Sequence, residues 1–373
     1  MADEGVILPP LHLRSARVEG PEGARYPKMQ FDERYTEHIR KTGLLPFIHL
    51  AARGMPKFNP CAITALVDRW RPETHTFHLP CGEMTVTFQD VSMILALPIK
   101  GDPLFLSTNT TGWRELMISF LGKQTGIPNK PAGAPFSWIA SNFAKCPPEL
   151  AADSEEVQQH ARAYVWYVIS RVLFPDGSGA YAPFMWLQML AGWGHKLSWG
   201  TATLAYLYRQ LDEACRRGEG VTESNIGGCM LLLSVWSWEH FPIGRPKPDL
   251  DTTWDDHGDP LRRATWAHRW DGVSREFGTS KKMYMEYTND FDNLAPEHVI
   301  WEPYGPAGHI GAGDMSFELN PMCLQEQHLW QMRCPLVCFY VVEWHLPNRV
   351  MRQFGFYQHT PPECKDTNQE LHG

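Results

Sequence analysis

The segment between residues 59 and 98 constrains the fold most, because it carries start and stop signals for several short elements in close succession. Asn59 is a suitable N-cap, and Pro60 fits the first helical position because its missing N–H needs no partner there. Apolar residues then recur on one helical face, at Ile63, Leu66, Val67 and Trp70. Pro72 disfavours helical backbone at the residue before it. The pattern predicts a helix over about 60–70.

A β-hairpin is predicted directly after this helix. β-Branched and aromatic residues alternate roughly over 74–79 and again over 84–88, on either side of a Pro/Gly turn. Thr87 and Asp90 have the spacing of a capping box, so a second short helix is expected to start there and to end before Pro98. A chain that contains this helix–hairpin–helix unit must combine helices with small β elements.

The rest of the chain is predicted to be mainly helical. Apolar periodicity and end signals indicate helices over Glu155–Phe174, 198–217, Ser224–Trp238, 261–270 and 280–293, and a last one from Pro347. The apolar run 336–342 predicts one fully buried strand. We therefore expect a mainly α fold with small β elements (α+β). We expect a single compact helical domain over 36–362, an irregular leader over 1–35 and a polar tail over 363–373.

Composition excludes several classes of protein. Of the 373 residues, 43% are hydrophobic and only 20% are charged, and the net charge is −8, which excludes a charged disordered protein or a histone-like nucleic-acid wrapper. The apolar stretches are too short for a membrane span, and no secretory signal opens the chain. The nine scattered cysteines are typical of reduced thiols in an intracellular compartment.

Candidate metal ligands do not have the spacing of a metal site. His75, His78 and Cys81 lie close together, but residues three apart on a strand point to opposite faces. Cys334 and Cys338 have no second pair at zinc-finger spacing, and the acidic residues between 249 and 259 lack the Gly and Glu of a calcium-binding EF-hand loop. We therefore predict no bound metal.

Catalytic motifs are missing from the sequence as well. The stretch Asp256-His257-Gly258-Asp259 is distantly similar to metallophosphatase motifs but lacks the accompanying Asn-His pair. Neither a phosphate-binding P-loop, a dinucleotide fingerprint nor a Gly-x-Ser-x-Gly nucleophile elbow occurs. We predict a protein that is not an enzyme, has no phosphatase activity and uses no cofactor.

One segment combines basic and aromatic residues, which is typical of surfaces that bind nucleic acids. Between 262 and 275 it contains Arg262, Arg263, Trp266, Arg269 and Arg275. The alternative is a helix that buries its tryptophans and exposes its arginines. Because the chain is acidic overall, we expect weak or no binding to nucleic acid.

Four segments resemble the plant mobile domain family, which includes the Maintenance of Meristems proteins and the long-form serine/threonine phosphatase 7 group. They span 70–91, 236–242, 301–304 and 342–350, in the order that the family has them. The positions that carry the resemblance, as structural residues or as an interaction surface, are Arg71, Pro72, Glu73, His75, Phe77, His78, Gly82, Glu83, Asp90, Trp236, Trp238, Glu239, Glu343, Trp344 and His345.

The resemblance implies a nuclear plant protein linked to meristem maintenance, transposon silencing and genome stability, with protein partners that include a phosphatase acting in trans. The family label "aminotransferase-like" gains no support, because no lysine stands out as a Schiff-base residue. The preferred interpretation is a non-catalytic interaction module. The alternative is a transposon-derived nucleic-acid-binding protein or a remnant nuclease or transposase. The oligomeric state stays open.

For the segment around 70–91 we predict which side chains attach the hairpin to the rest of the protein. Arg71, Glu73, His75 and Glu83 flank a turn and show no ligand geometry. We expect these four side chains to hold the hairpin on the neighbouring helices through charge-assisted hydrogen bonds.

Overall fold

The structure is a computed structural model, and it describes residues 9–14, 28–105, 109, 111–126, 132–216, 224–248, 253–270, 281–305 and 317–361. The α-helices are α1 (Thr36–Thr42), α2 (Leu45–Arg53), α3 (Pro60–Val67), α4 (Phe88–Asp90), α5 (Trp113–Leu121), α6 (Phe136–Phe143), α7 (Glu155–Val172), α8 (Phe184–Gln188), α9 (Trp199–Cys215), α10 (Met230–His240), α11 (Lys281–Asp292) and α12 (Met322–Gln325).

Within the described ranges, short strands form four separate small sheets among these helices. The strands are β1 (His12–Leu13), β2 (Trp70–Arg71), β3 (Thr76–Leu79), β4 (Gly82–Met84), β5 (Gly133–Pro135), β6 (Tyr181–Pro183), β7 (Asn225–Ile226), β8 (Cys334–Cys338) and β9 (Val341–His345). β1 pairs with β7 in parallel, whereas β2-β3-β4, β5-β6 and β8-β9 are antiparallel. The expected α+β fold with small β elements is confirmed.

The interior is built around α7, α9 and α10. Every residue of α10 is buried, and α7 and α9 expose only a few positions near their ends. The hairpin β8-β9 packs against α9, and α11 packs against α3. Tryptophans contribute much of the packed volume, with Trp70, Trp166, Trp186, Trp199, Trp236 and Trp266 almost fully buried. No helix within the described ranges has the length and apolar character needed to cross a membrane.

The predicted hairpin is present. The residues directly before it, Trp70–Arg71, form a strand and not the end of a helix. The Asn59 side chain accepts a hydrogen bond from the Ala62 amide, as an N-cap does, and α3 then ends at Val67. Trp70 pairs with Phe77 and thereby adds β2 to the hairpin. The prediction of helix to residue 70 was therefore too long, because pairing with β3 supplies backbone hydrogen bonds that the apolar periodicity does not reveal.

The capping box at the start of α4 is confirmed. The backbone N–H of Thr87 donates to Asp90 Oδ2 at 2.7 Å, and α4 continues into a π-helical segment over Val91–Leu95. Ala96 has a φ of 50°, so the segment ends in left-handed backbone before Pro98.

Four other sequence predictions are corrected in type or extent. The run 336–342 is a hairpin and not one strand, because Phe339 at φ 56° reverses the chain between β8 and β9. α10 begins at Met230 and not at Ser224, because Asn225–Ile226 pairs with β1. The segment 261–270 forms two short 3₁₀ helices, Pro260–Arg262 and Trp266–Trp270, and not one α-helix. After Pro347 the chain likewise forms 3₁₀ turns, which end at Gly355.

Candidate functional site

Four ionisable side chains from three distant segments meet inside the protein, and we call them the His75 cluster: His75, Arg209, Asp212 and Glu343. The turn between β2 and β3 places His75 there in left-handed backbone with φ 51°. Arg209 and Asp212 lie on α9, and Glu343 lies on β9. The cluster therefore joins the β2-β3-β4 sheet, a central helix and the β8-β9 hairpin.

The distances in the cluster are those of ion pairs. His75 Nε2 lies 3.0 Å from Glu343 Oε2 and 3.8 Å from Asp212 Oδ2, and the His75 ring is almost fully buried. Arg209 Nε donates to Glu343 Oε1 at 2.7 Å. Trp70 Nε1 donates to the other oxygen of Asp212, Oδ1, at 2.6 Å. Glu343 thus has a nitrogen donor near each of its oxygens, from Arg209 and His75. Asp212 has the Trp70 N–H on one oxygen and His75 Nε2 3.8 Å from the other.

The cluster holds His75 in its protonated form. Burial lowers the pKa of His75, but hydrogen bonds to Asp212 and Glu343 and their negative charges outweigh burial and raise it to about 9. Its Nδ1 lies 3.3 Å from the Trp344 carbonyl oxygen, so both ring nitrogens face acceptors, as in an imidazolium. With Arg209, the cluster has two positive and two negative charges and is neutral as a whole.

Among the described residues, His75, Asp212 and Glu343 form a group that could hold a metal ion, since one ligand atom of each lies within 4.8 Å of the others. Two observations favour a proton instead. Arg209 already neutralises Glu343 at 2.7 Å, and a divalent ion would leave the buried cluster with excess positive charge. The 3.0 Å separation of His75 and Glu343 is also an ordinary hydrogen-bond length. The arrangement therefore fits a structural ion-pair network better than a catalytic metal centre.

A second ion pair stabilises the position of β4, the other edge strand of the β2-β3-β4 sheet. Glu83 on β4 accepts two hydrogen bonds from Arg349, at 2.6 and 2.7 Å, and a third from the Thr76 hydroxyl at 3.0 Å. Although burial opposes it, the Arg349 guanidinium holds the pKa of Glu83 below its usual range. Close by, the Gln353 side chain bonds both the amide and the carbonyl of Thr85 at 2.9 Å. The hairpin is thus attached to the C-terminal 3₁₀ turns.

Asp90 stands at the centre of another buried group. Besides capping α4, it accepts a hydrogen bond from the Tyr304 hydroxyl at 2.8 Å and lies 3.8 Å from His240 Nε2. His240 Nδ1 in turn lies 2.6 Å from the Ile300 carbonyl oxygen. Asp90 therefore connects α4, α10 and the segment around 300.

Glu239, Trp266, Arg269 and Trp270 form what we call the Glu239 cluster. Glu239 Oε1 accepts from the indole N–H groups of Trp266 and Trp270 at 2.9 and 2.7 Å, and Arg269 Nη1 lies 3.7 Å away. The Arg269 guanidinium stacks over the Trp266 ring at 4.8 Å. Burial raises the pKa of Glu239 and lowers that of Arg269. This cluster anchors the second 3₁₀ helix on α10.

The aromatic positions of the resemblance pack in the interior. Phe77 stacks on Trp236 with ring centroids 5.3 Å apart, and Trp238 contacts Trp270 at the same distance. His345 is buried against Phe88, accepts from the Phe88 amide and lies 2.8 Å from the Met332 carbonyl oxygen. Burial lowers the pKa of His345 to about 4, so the ring is neutral. Trp344 is half-buried beneath Arg333.

The remaining positions of the resemblance lie at the surface of the hairpin. Arg71, Glu73, His78 and Gly82 are exposed, and Pro72 is half-buried. In the described part of the chain, the Arg71 side chain donates hydrogen bonds to the nearby backbone carbonyls of Asp68 and Trp70 and does not bridge to a distant helix. Gly82, the first residue of β4, has a φ of 129°, a backbone conformation that residues with a side chain disfavour. Of the four residues expected to hold the hairpin, only His75 and Glu83 make ion pairs to distant segments.

The candidate nucleic-acid segment is largely turned inward, which corrects the sequence prediction. Trp266 and Arg269 are 1% and 3% exposed, so neither can stack on a base in this fold. Arg262 and Arg263 are half-buried and bind Glu33 and Asp256. Arg275 lies outside the described residues. The alternative of a buried tryptophan face was correct for Trp266, but Arg269 is buried with it.

Sequence reasoning missed Arg209, Asp212, Gln353 and Tyr304. Arg209 and Asp212 lie on a helix whose pattern is otherwise that of an ordinary amphipathic helix. The available signal was Asp212 itself, an acidic side chain on the apolar face that also carries Tyr208. Such a residue is buried only when it is paired.

Comparison with known proteins agrees with these observations. The family model described as "Plant mobile domain" matches residues 47–372. In Arabidopsis thaliana, "Serine/threonine-protein phosphatase 7 long form homolog" is 38% identical over 83% of this chain and 22% of its own length. "Protein MAINTENANCE OF MERISTEMS" is 33% identical over 85% of this chain and 61% of its own length. "Protein MAIN-LIKE 1" is 32% identical over 95% of this chain and 67% of its own length.

No solved structure matches this chain. The sequence match nevertheless extends over most of the chain and includes each segment that builds the His75 and Glu239 clusters. On this evidence, the chain belongs to the plant mobile domain family.

Proposed function

We propose that this protein is a non-catalytic interaction module. The observation that supports the proposal best is the state of the ionisable residues in the matching segments. His75, Glu343, Asp90 and Glu239 are buried and bound to partners within the protein. Groups that are enclosed and paired hold a fold together but cannot reach a substrate. The recognition of other molecules then falls to the surface.

We further propose that the module acts in the nucleus and contributes to meristem maintenance, transposon silencing and genome stability. The names of the relatives support the link to meristems, and one relative is named as a phosphatase long-form homolog. The chain spans 22% of that relative, and the name of the relative supports the proposal of a phosphatase as a partner. Direct catalysis by this chain is not proposed.

The second candidate function is a transposon-derived nucleic-acid-binding protein or a remnant nuclease. Nuclease chemistry requires carboxylates that hold a divalent ion at a site the nucleic acid can enter. Of the described residues, Asp212 and Glu343 most resemble such a pair of carboxylates, but Arg209 and His75 neutralise their charges. This arrangement favours the interaction module.

The proposal is tested by affinity purification of the tagged chain from plant nuclei, followed by quantitative mass spectrometry. The control bait is the tag alone. A matched bait with Glu73→Ala, a change at an exposed position, keeps the fold and tests whether the hairpin surface contributes. We expect stoichiometric capture of protein partners, including a phosphatase. If no protein is enriched over the control, or if the pure chain cleaves DNA with Mg²⁺ and loses this activity with Asp212→Asn, the proposal is wrong.

A further inference from the structure

A surface pocket of about 280 Å³ has no lining residue in the clusters described above. Its walls include Lys100, Lys196 and Arg40, together with apolar side chains such as Leu197 and Met322. We call it the lysine pocket. Three cations on one concave surface stand out in a chain whose net charge is −8.

The two lysines are the available charges. Lys100 and Lys196 are exposed, and neither has an ion pair with any carboxylate in the described ranges. Arg40 is engaged with Asp259 at 2.6 Å and with Glu37 at 3.2 Å. An anion that enters the pocket would therefore meet two ammonium groups that have no competing partner of their own.

The one acidic residue of the lining is turned to the backbone. Glu326 Oε2 accepts hydrogen bonds from the amides of Ile99 and Lys100, at 2.7 and 3.0 Å. These bonds occupy one oxygen of the carboxylate and fix the backbone that carries Lys100. Glu326 thus acts as a support for one wall of the pocket.

The backbone that carries Lys196 on the second wall of the pocket is also fixed by hydrogen bonds. The Asp102 amide donates to the Lys196 carbonyl at 2.8 Å, and the Ser198 amide donates back to the Asp102 carbonyl at 2.9 Å. Gly101 makes this close approach possible, because a Cβ there would lie 2.4 Å from the Lys196 carbonyl oxygen. The backbones that carry Lys100 and Lys196 are therefore held side by side before any ligand arrives. Such preorganisation lowers the entropic cost of binding.

The size and chemistry of the lysine pocket select the ligand. Pockets for drug-sized molecules have volumes of about 300–1,000 Å³, so this one suits a smaller group. Phosphoserine and phosphothreonine carry a charge of about −1.5 to −2 and three acceptor oxygens on a short stem. Lysines bind such phosphates as point charges, and Leu197 and Met322 can contact the stem. A duplex backbone, by contrast, repeats its charges along a line and is repelled by the acidic chain.

We propose that the lysine pocket binds a phosphoserine or phosphothreonine side chain of a partner protein, with Lys100 and Lys196 as the phosphate ligands. The inference rests on the proposed function, since it names the chemistry by which the interaction module recognises one class of partner.

The test is a binding titration of the full chain with a fluorescent peptide library that has phosphoserine at a fixed central position. Matched libraries carry serine or glutamate there, and inorganic phosphate and duplex DNA serve as competitors. The variants are Lys100→Gln, Lys196→Gln and the double variant. The control is Lys57→Gln, an exposed lysine outside the pocket. Thermal unfolding of each variant checks that the fold is retained.

We expect binding of the phosphoserine library and not of the serine library, and about tenfold weaker binding for each pocket substitution, as for loss of one hydrogen bond to a charged group. Lys57→Gln should bind as the wild type does. Competition by inorganic phosphate with no effect of the peptide sequence would mean a free phosphate site and would overturn the role of a partner protein. Equal binding of serine and phosphoserine libraries, unchanged binding by the double variant, or displacement by duplex DNA at physiological salt would also overturn it.

Capture from nuclei separates this inference from the proposed function. If the wild-type chain and the double variant capture the same partners equally, the module stands and the lysine pocket is not its recognition site. If the wild-type chain captures no partner, the proposed function fails, and the peptide titration alone decides whether the pocket binds phosphoserine.

Discussion

His75 Nε2 and Glu343 Oε2 lie 3.0 Å apart, although the first residue lies in the turn after β2 and the second in β9, more than 260 positions later in the sequence. Both side chains are almost fully buried. Glu343 also binds Arg209 of the central helix α9 at 2.7 Å. This contact therefore joins three parts of the fold at one point, and four of the predictions below concern it or contacts like it.

The first prediction concerns His75→Gln. Removing His75 from the buried ion-pair network leaves one of its two carboxylate charges uncompensated, because Arg209 balances only one of them, and this costs about 3–5 kcal/mol. We expect a correspondingly lower free energy of unfolding in a urea titration. The matched control is His78→Gln, since the His78 side chain is 42% exposed and its nearest carboxylate oxygen is 3.9 Å away. Equal effects of the two substitutions would contradict the role of His75.

The second prediction concerns pH. The pKa of His75 is raised to about 9 by Asp212 and Glu343 against the opposing effect of burial, with Arg209 as the other charged neighbour. The folded protein therefore binds the proton more tightly than the unfolded chain, whose histidine pKa is about 6.5. The stabilisation from His75 is complete below about pH 6.5 and is lost as pH rises through 9.

His345 has the opposite effect on the pH dependence of stability, because its contribution to the free energy of unfolding is lost as the pH falls. Burial lowers its pKa to about 4, so the unfolded chain takes up the proton first as pH falls below about 6.5. The free energy of unfolding measured across pH should thus be highest near neutrality. In His75→Gln, the decline between pH 6.5 and 9 should become shallower, and an unchanged alkaline limb would contradict the assignment.

The third prediction concerns Glu83 and Arg349. Their two hydrogen bonds at 2.6 and 2.7 Å attach the hairpin to the last 3₁₀ turns. A double-mutant cycle with Glu83→Ala and Arg349→Ala should give a coupling energy of about 1–3 kcal/mol. Glu73→Ala is the control. Glu73 was also expected to hold the hairpin on the helices, but its side chain is exposed, so the expected change in the free energy of unfolding is within about 0.5 kcal/mol. Additive effects of the two alanine substitutions would refute the link.

The fourth prediction concerns metal. Because the charges of Arg209 and protonated His75 already balance Asp212 and Glu343, we expect elemental analysis of the purified chain to find less than stoichiometric zinc, iron or manganese. A chelator should leave the melting temperature unchanged. One metal ion per chain that disappears in Asp212→Asn would show that the three residues are ligands and not an ion-pair network.

The fifth prediction concerns nucleic acid. Since Trp266 and Arg269 are buried, only Arg262 and Arg263 remain at the described surface of that segment, and both are paired with carboxylates. Duplex and single-stranded DNA should bind weakly and without sequence preference. The salt dependence should be shallow, on the order of −0.9 per phosphate contact. Nanomolar, sequence-selective binding in an anisotropy titration at physiological salt would instead favour the transposon-derived alternative.

Elements whose hydrogen bonds close over a few residues were predictable from the sequence. The Asn59 cap, the capping box of Thr87 with Asp90, and helices α7 and α11 follow from side chains that lie within one or two helical turns of each other. The mixed fold class follows from the same local signals. The aromatic and apolar positions of the resemblance, such as Phe77 and Trp236, could also be expected inside the protein because of their transfer free energy.

Only the tertiary structure decided which charged groups are buried. Nothing local in the sequence distinguishes the buried Arg269 from the half-buried Arg262, or Glu83 with its distant arginine from the exposed Glu73. The physical reason is that a charged side chain can be buried only where a group of opposite charge lies close enough to pair with it. That partner is Glu239 for Arg269 and Asp212 with Glu343 for His75, and each comes from a remote segment that packing alone brings near.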